Sequence, residues 1–395
     1  MTDSAQTRWG AVLLCVLAGM AVAVQVGKVP PAMPAMRAEL QLGLVAAGWI
    51  ASSVAAIGAG LGIASGMLAD RIGRRRLVLI GLAAAGIGSL GGALSPNGAL
   101  LLLTRLLEGL GFVAVVVSAP SLIAEAARPA DHRFALGLWA TYMPAGMALI
   151  MLVSPLALLA LGWRGVWLGI GLLILLFLAA FAWLVPAPAR DAPRRLSTSR
   201  EILLALQRPG PWLLGACFAC YTLQWVAVMT WLPTFMIEEG GIPLALAAPM
   251  TALMVLFNVP GNIMGGWLLQ RGVARASLIA TALVTMAVMA LGMFGSGLPV
   301  GMRYGMGIVF SMVGGMLPAA CLSGAPFHAR TQSEIGAVNG VIVQGSNLGS
   351  FSGPPALAFM VATFGGWGAV RPYLVGAALA GLLCAIALHR LERRR

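Results

Sequence analysis

Twelve long apolar stretches, separated by short charged or Pro/Gly-rich breaks, leave this chain almost no way to fold in water. A helix that crosses a bilayer takes roughly 20 apolar residues. The stretches run approximately 9–27, 43–65, 77–94, 99–124, 134–161, 165–186, 211–236, 244–270, 274–296, 302–327, 335–364 and 368–389. Of 395 residues, 60% are hydrophobic and only 9% charged, where a soluble chain carries about a quarter. So few charges cannot cover a water-soluble domain of this size, and most of the surface must face lipid. The longest polar stretch, 187–210, is too short for a soluble domain. The chain therefore reads as an all-α membrane protein, multi-pass, with lipid as its main surroundings.

The net charge of +13 would point to nucleic acid in a soluble protein. Here its placement matters more than its size. If both termini face the cytoplasm, 19 of the 25 basic residues fall in cytoplasmic segments, clustered at 71–76, 190–208 and 390–395. Five fall outside: Lys28, Arg37, Arg164, Arg303 and Arg371. Arg105 lies in or near a span. The positive-inside rule then sets both ends in the cytoplasm and requires an even helix count; the expected location is a bacterial inner membrane. Ala21-Val22-Ala23 resembles a signal-peptide cleavage site, but Asp3 and Arg8 precede the apolar run and nothing secreted follows. The five cysteines fall inside spans, so Cys217-x-x-Cys220 reads as buried thiols, with no metal or cofactor expected.

Internal repetition is visible at nearly constant spacing. Arg105 and Pro120 are matched by Arg303 and Pro318, 198 positions on, each pair fifteen residues apart. Gly66…Arg71 is matched by Gly266…Arg271 after 200, Gly162-Trp163 by Gly366-Trp367 after 204, and Pro31 by Pro233 after 202. The expected architecture is twelve transmembrane helices in two pseudo-symmetric six-helix bundles, 1–186 and 211–395, joined by a basic linker at 187–210. Parallel repeats of this kind are a known transporter plan.

The most specific motif is Gly66-Met67-Leu68-Ala69-Asp70-Arg71-Ile72-Gly73-Arg74-Arg75-Arg76. It resembles the loop 2–3 signature of the major facilitator superfamily, and the twelve spans, central loop and Arg105-x-x-x-Gly109-x-Gly111 extend that resemblance along the chain. The resemblance implies a gate in which Gly66, Asp70, Arg71, Gly73, Arg74 and Arg75 clamp the cytoplasmic end, with Asp70 contacting arginines of this loop and of the neighbouring helix end. An acid–base cluster at a seam can favour one conformer by a few kcal/mol. The competing reading is a solvated basic loop that only sets topology.

Arg105 and Glu108 are the charges placed well inside a span, at i,i+3 and able to pair. Intramembrane ionisable groups are functional candidates by default. The resemblance ties the arginine to proton coupling, and Glu108 is the candidate proton site; the alternative is a structural ion pair. Gly58, Gly62 and Gly66, and Gly345, Gly349 and Gly353, form two ladders of small residues that permit close helix approach. In the resembled fold these two helices meet across the seam between the halves. Pro120 and Pro318 predict matched kinks. Polar candidates for a substrate cavity are Gln25, Tyr142, Tyr221, Gln224, Trp225, Asn258, Asn262, Gln344 and Asn347, each equally able to serve as interhelical glue.

No catalytic constellation is present, so an enzyme is not expected; a channel would not need the duplicated halves. Trp231-Leu232-Pro233 and Gly353-Pro354-Pro355 resemble the cyanate-permease-like branch, whose members handle small anions or organic solutes. Met143-Pro144-Ala145-Gly146 stands where drug antiporters carry Gly-Pro, which weakens multidrug efflux without removing it. The expected function is a monomeric, proton-coupled secondary transporter of a small organic solute or anion, with multidrug proton antiport as the alternative. Titratable groups concentrate in the first half and amides in the second, which suggests coupling on one and substrate selection on the other.

Overall fold

The computed structural model describes residues 6–62, 72–185, 206–331 and 334–393. Among these there is no strand. The principal helices are α1 Trp9–Leu40, α2 Leu44–Gly62, α3 Arg74–Ala93, α4 Gly98–Ala126, α5 Tyr142–Leu184, α6 Pro209–Glu238, α7 Leu244–Gln270, α8 Arg275–Met293, α9 Val300–His328, α10 Glu334–Phe364 and α11 Trp367–Arg393. Ten of them are long and apolar enough to cross a membrane. The exception is α10, where Gln344, Ser346, Asn347, Ser350 and Ser352 dilute the apolar run.

Three elements depart from the boundaries read in the sequence. The first stretch does not end at residue 27. Helix resumes over Val29–Leu40, and the backbone N–H of Lys28 still donates to Val24 O at 2.9 Å. Pro30 and Pro31 sit in the first turn of this second piece, where missing N–H groups do least harm, so the chain bends instead of stopping. The fifth and sixth stretches run into one another within α5, reversing at Gly162, whose φ of 64° is open to glycine and strained for other residues. The tenth stretch is cut into Val300–Gly314, Met316–Leu322 and Gly324–His328, with Pro318 in the middle piece.

Glycines set the closest crossings. A methyl group on Gly109 would lie 2.6 Å from Val54 O of α2, and one on Gly111 would collide with Gly81 O of α3. The Arg-x-x-x-Gly-x-Gly pattern thus lets α4 press on two neighbours at once. The second ladder corrects the sequence reading. Gly345, Gly349 and Gly353 do not face α2; they press on the backbone carbonyls of Gly215, Ala219 and Leu223 in α6. At the α2–α10 seam it is α2 that supplies the small residues. A methyl group would come within 2.6 Å of the Asn347 side chain on Gly58, 2.8 Å of the Gln344 side chain on Gly62 and 2.7 Å of the Pro355 backbone on Gly48. Trp49 packs on Phe351 beside them, ring centroids 4.9 Å apart. Gly66 lies outside the described residues.

Two tryptophans pin the end of the bundle opposite the chain termini. Trp163, which follows Gly162, donates its indole N–H to Glu39 Oε2 at 2.5 Å. Trp367, which follows Gly366 (φ 142°), donates to Glu238 Oε2 at 3.1 Å. Each carboxylate stands at the end of the long helix that opens its part of the chain, α1 or α6. Arg37 of α1 also reaches Glu238 of α6 at 3.4 Å.

Candidate functional site: a buried charge cluster

Arg105 of α4 is completely buried, and its guanidinium is held by backbone as well as charge. It donates to Gln25 O of α1 at 2.7 Å, to Ile50 O of α2 at 3.1 Å and to Ala51 O at 3.4 Å. Immediately beyond those carbonyls α2 tightens to a 3₁₀ turn at Ser53–Ala55, and the Ser53 hydroxyl also donates to Ile50 O at 2.9 Å. Arg105 also pairs with Glu108 one turn along its own helix, through Oε2. Glu108 is fully buried too, and Gly88 of α3 makes the space, since a methyl there would meet Glu108 Cγ at 2.8 Å.

The other carboxylate oxygen belongs to a residue the sequence reading placed outside the membrane. Lys28 is 1% exposed and its ammonium donates to Glu108 Oε1 at 2.9 Å and to Ser89 Oγ at 2.8 Å. Ser89 passes the chain on, donating to Trp167 O at 2.7 Å. The Lys28 ammonium also lies 4.3 Å from the centroid of the Trp167 ring, a cation–π geometry. The assignment of Lys28 to an outer segment is therefore corrected, because the helix bends through it and turns its side chain inward. Two cations and one carboxylate occupy one closed site between α1, α3, α4 and the second limb of α5. A second carboxylate is buried as well: Glu334, 3% exposed, is gripped by Arg208 at 2.7 and 3.0 Å at the start of α10.

The polar candidates divide into groups. Tyr221, Trp225, Asn258 and Asn262 converge in the C-terminal helices. Asn258 Nδ2 donates to Tyr221 Oη at 2.8 Å and to Ser311 O at 3.0 Å, Trp225 Nε1 donates to Ser311 Oγ at 3.0 Å, and Asn262 Nδ2 donates to Asn258 Oδ1 at 2.8 Å. Gln344 and Asn347 lie apart from them, at the α2–α10 seam. Gln25 turns into the N-terminal helices and donates to Ala85 O at 3.1 Å; Gln224 donates to Cys220 O of its own helix at 2.9 Å. Among the described residues, the amide oxygens of both glutamines are buried without a partner. Tyr142 stacks on Trp139, centroids 4.4 Å apart.

Of the gate motif, Gly66, Asp70 and Arg71 lie outside the described residues. Gly73 takes φ 89° and starts α3. Arg74 pairs with Glu125 at the end of α4, and Arg75 donates to Ala182 O and Val185 O, both at 2.6 Å, capping the last carbonyls of α5. At the same end, the Thr7 hydroxyl and the Arg128 guanidinium hold the Asp131 carboxyl below the usual aspartate range.

A bundle of long apolar helices with ion pairs sealed inside it is that of a multi-pass membrane protein. The chain belongs to the Major Facilitator Superfamily, whose model matches residues 12–354. It is 28% identical to a 3-(3-hydroxy-phenyl)propionate transporter of Escherichia coli (strain K12), over 84% of this chain and 82% of that protein. A gallate transporter of Pseudomonas putida is also 28% identical, and the match spans 60% of each chain. The cyanate transport protein CynX of Escherichia coli (strain K12) is 26% identical over 70% of this chain and 71% of its own length, in line with the branch resemblance. A lincomycin resistance protein of Streptomyces lincolnensis matches a shorter part, 32% identical over 41% of this chain. Among solved structures, a bacterial homologue of the human lysosomal transporter Spinster, inward-facing and occupied, superposes with a TM-score of 0.79 at 18% identity, covering 99% of this chain and 98% of that one.

Proposed function

We propose that this protein is a proton-coupled carrier of a small organic anion, working by alternating access in a bacterial inner membrane with both termini in the cytoplasm. The observation that carries the reading is the sealed Lys28–Glu108–Arg105 cluster. Buried charges in a membrane helix bundle are expensive to maintain and concentrate where ions or protons are handled. Arg105 and Glu108 form the coupling element, and the relatives named above for gallate, 3-(3-hydroxy-phenyl)propionate and cyanate supply the class of cargo.

Counting the two limbs of α5 separately and including α10 gives twelve spans in two sets of six, residues 1–186 and 211–395 about the 187–210 linker. The matching tryptophan–carboxylate hooks, Trp163–Glu39 and Trp367–Glu238, support the repeat. The cargo sits between the sets, selected by the neutral network of Tyr221, Trp225, Asn258 and Asn262 with Gln344 and Asn347 at the seam. Gly66, Asp70 and Arg71 complete the gate with Gly73, Arg74 and Arg75.

Uptake of radiolabelled 3-(3-hydroxy-phenyl)propionate, gallate and cyanate into proteoliposomes, with and without an imposed proton gradient, tests this. Gradient-driven, saturable accumulation of one of them is expected. Non-saturating flux would overturn the carrier reading, and gradient-driven export of lincomycin alone would favour the drug antiporter. Glu108→Gln with unchanged pH dependence of uptake would remove Glu108 from the coupling element.

A further inference from the structure

Lys28 is the only lysine in the chain, set against 24 arginines. Every other basic position, at either end of the bundle and inside it, carries a guanidinium. The single amine is one of the largest fully buried side chains in the protein. Arginine stays charged under all conditions a protein meets, whereas lysine gives up its proton readily when buried.

The charge balance of the site identifies which member can change state. With all three groups ionised, two cations face one carboxylate and the closed site carries a net positive charge. Protonating Glu108 would double that charge, and would place a hydrogen on an oxygen already accepting from a cation: Oε1 from Lys28, Oε2 from Arg105. Releasing the proton from Lys28 brings the site to neutrality. The resulting amine still has two N–H groups, enough to keep donating to Glu108 Oε1 and Ser89 Oγ. A buried site without net charge is the least costly of the three. Among the described residues the surroundings offer no competing group. From α3 Lys28 meets Ser89, from α5 Trp167, and from α4 Glu108 and Arg105; α2 contributes only the Ile50 and Ala51 carbonyls that hold Arg105.

We infer that Lys28, and not a carboxylate, carries the proton that this transporter exchanges, with Arg105 and Glu108 as the fixed ion pair that makes its release favourable. In the step itself the Nζ–H bond breaks, the electron pair stays on nitrogen, and the proton passes to water admitted when the site opens; water on the other side returns it. This rests on the coupled-carrier reading for its role in transport, but the protonation of Lys28 can be measured without any cargo.

A single lysine allows an unambiguous experiment. Full-length protein labelled with ¹³Cε-lysine and placed in lipid nanodiscs gives one lysine Cε resonance. It is expected to move from the ammonium to the amine position as pH is raised through the range in which the protein transports. An ammonium signal that persists into strongly alkaline buffer would overturn the inference. So would an infrared carboxylic-acid C=O band that appears on acidification and vanishes in E108Q. In proteoliposomes, K28R keeps the cation but cannot release a proton, and should retain cargo exchange at zero gradient while losing gradient-driven accumulation. K28R that accumulates cargo like the wild type would sink the coupling role even if the resonance titrates. If neither variant nor wild type moves any cargo tested, the cargo assignment fails and the resonance alone decides the fate of Lys28.

Discussion

The N-terminal helices α1–α5 and the C-terminal helices α6–α11 solve the same packing problem with different chemistry. The first set closes around an ionic core, Lys28–Glu108–Arg105. The second closes around a neutral one, Tyr221–Asn258–Ser311–Trp225. Arg303, the sequence counterpart of Arg105, has no carboxylate partner among the described residues; it donates to Met293 O at 2.9 Å and lies 5.0 Å from the Phe235 ring centroid. Neutral hydrogen bonds between membrane helices contribute modestly, whereas a buried ion pair holds only while all its members are present. The difference teaches that the neutral core can be trimmed gradually, while the ionic core is sensitive to the loss of any one charge.

The harshest way to break this comparison is E108Q, which leaves the buried Arg105 guanidinium without a counter-charge. A loss of about 3–5 kcal/mol is expected from a broken buried pair, read as a lowered melting temperature in detergent. If E108Q melts like the wild type, the ionic core is not structural. Next comes G353A, whose methyl would strike the Leu223 carbonyl of α6; rigid backbone gives little, and about 1–3 kcal/mol is expected from such overpacking. G58A at the seam meets the Asn347 side chain first, which can swing, so the same measurement should register a smaller change. Y221F should be milder again, near the ~0.6 kcal/mol typical of interhelical hydrogen bonds in membranes. A Y221F loss as large as that of E108Q would erase the contrast between the cores.

The effect of R37Q should be of comparable size to that of Y221F. The Arg37–Glu238 pair is long and partly exposed, so stability should change by no more than about 1 kcal/mol. Because it links α1 to α6, the transport rate should respond instead, and a stability change without a rate change would contradict that. The smallest effect concerns Asp131. Its carboxyl is held below the ordinary range by Thr7 and Arg128, so it contributes stability above the unfolded aspartate value and loses it as pH falls through the folded one. Melting curves of D131N should therefore converge with the wild type in acid and fall below it near neutrality.

What was legible in the sequence followed from local chemistry. Apolar runs located most of the helices to within a few residues, the end of α1 excepted, and Gly162-Trp163 and Gly366-Trp367, read as a repeat, fall where the backbone takes an unusual φ. Arg105, Glu108, Gly109 and Gly111 were recognisable because their spacing puts a charge pair and two close contacts on one helix. Lys28 was missed because Pro30 and Pro31 look like the end of a span, while in three dimensions they only bend it. The signal that could have found it was compositional: a lone lysine in an arginine-rich chain. The direction of the Gly345–Gly349–Gly353 ladder was not legible either, since a small-residue face says that a neighbour approaches closely and not which neighbour.

The buried lysine also gives this molecule an unusual relation to common reagents. Apart from the α-amino group, the folded chain presents no amine to an acylating dye, a crosslinker or formaldehyde. A label that appears on Lys28 can only have been attached while the α1–α3–α4–α5 core was open. Timed exposure to such a reagent, read by mass spectrometry at one position, would therefore count the openings of the N-terminal core, with no engineered tag and no knowledge of the cargo.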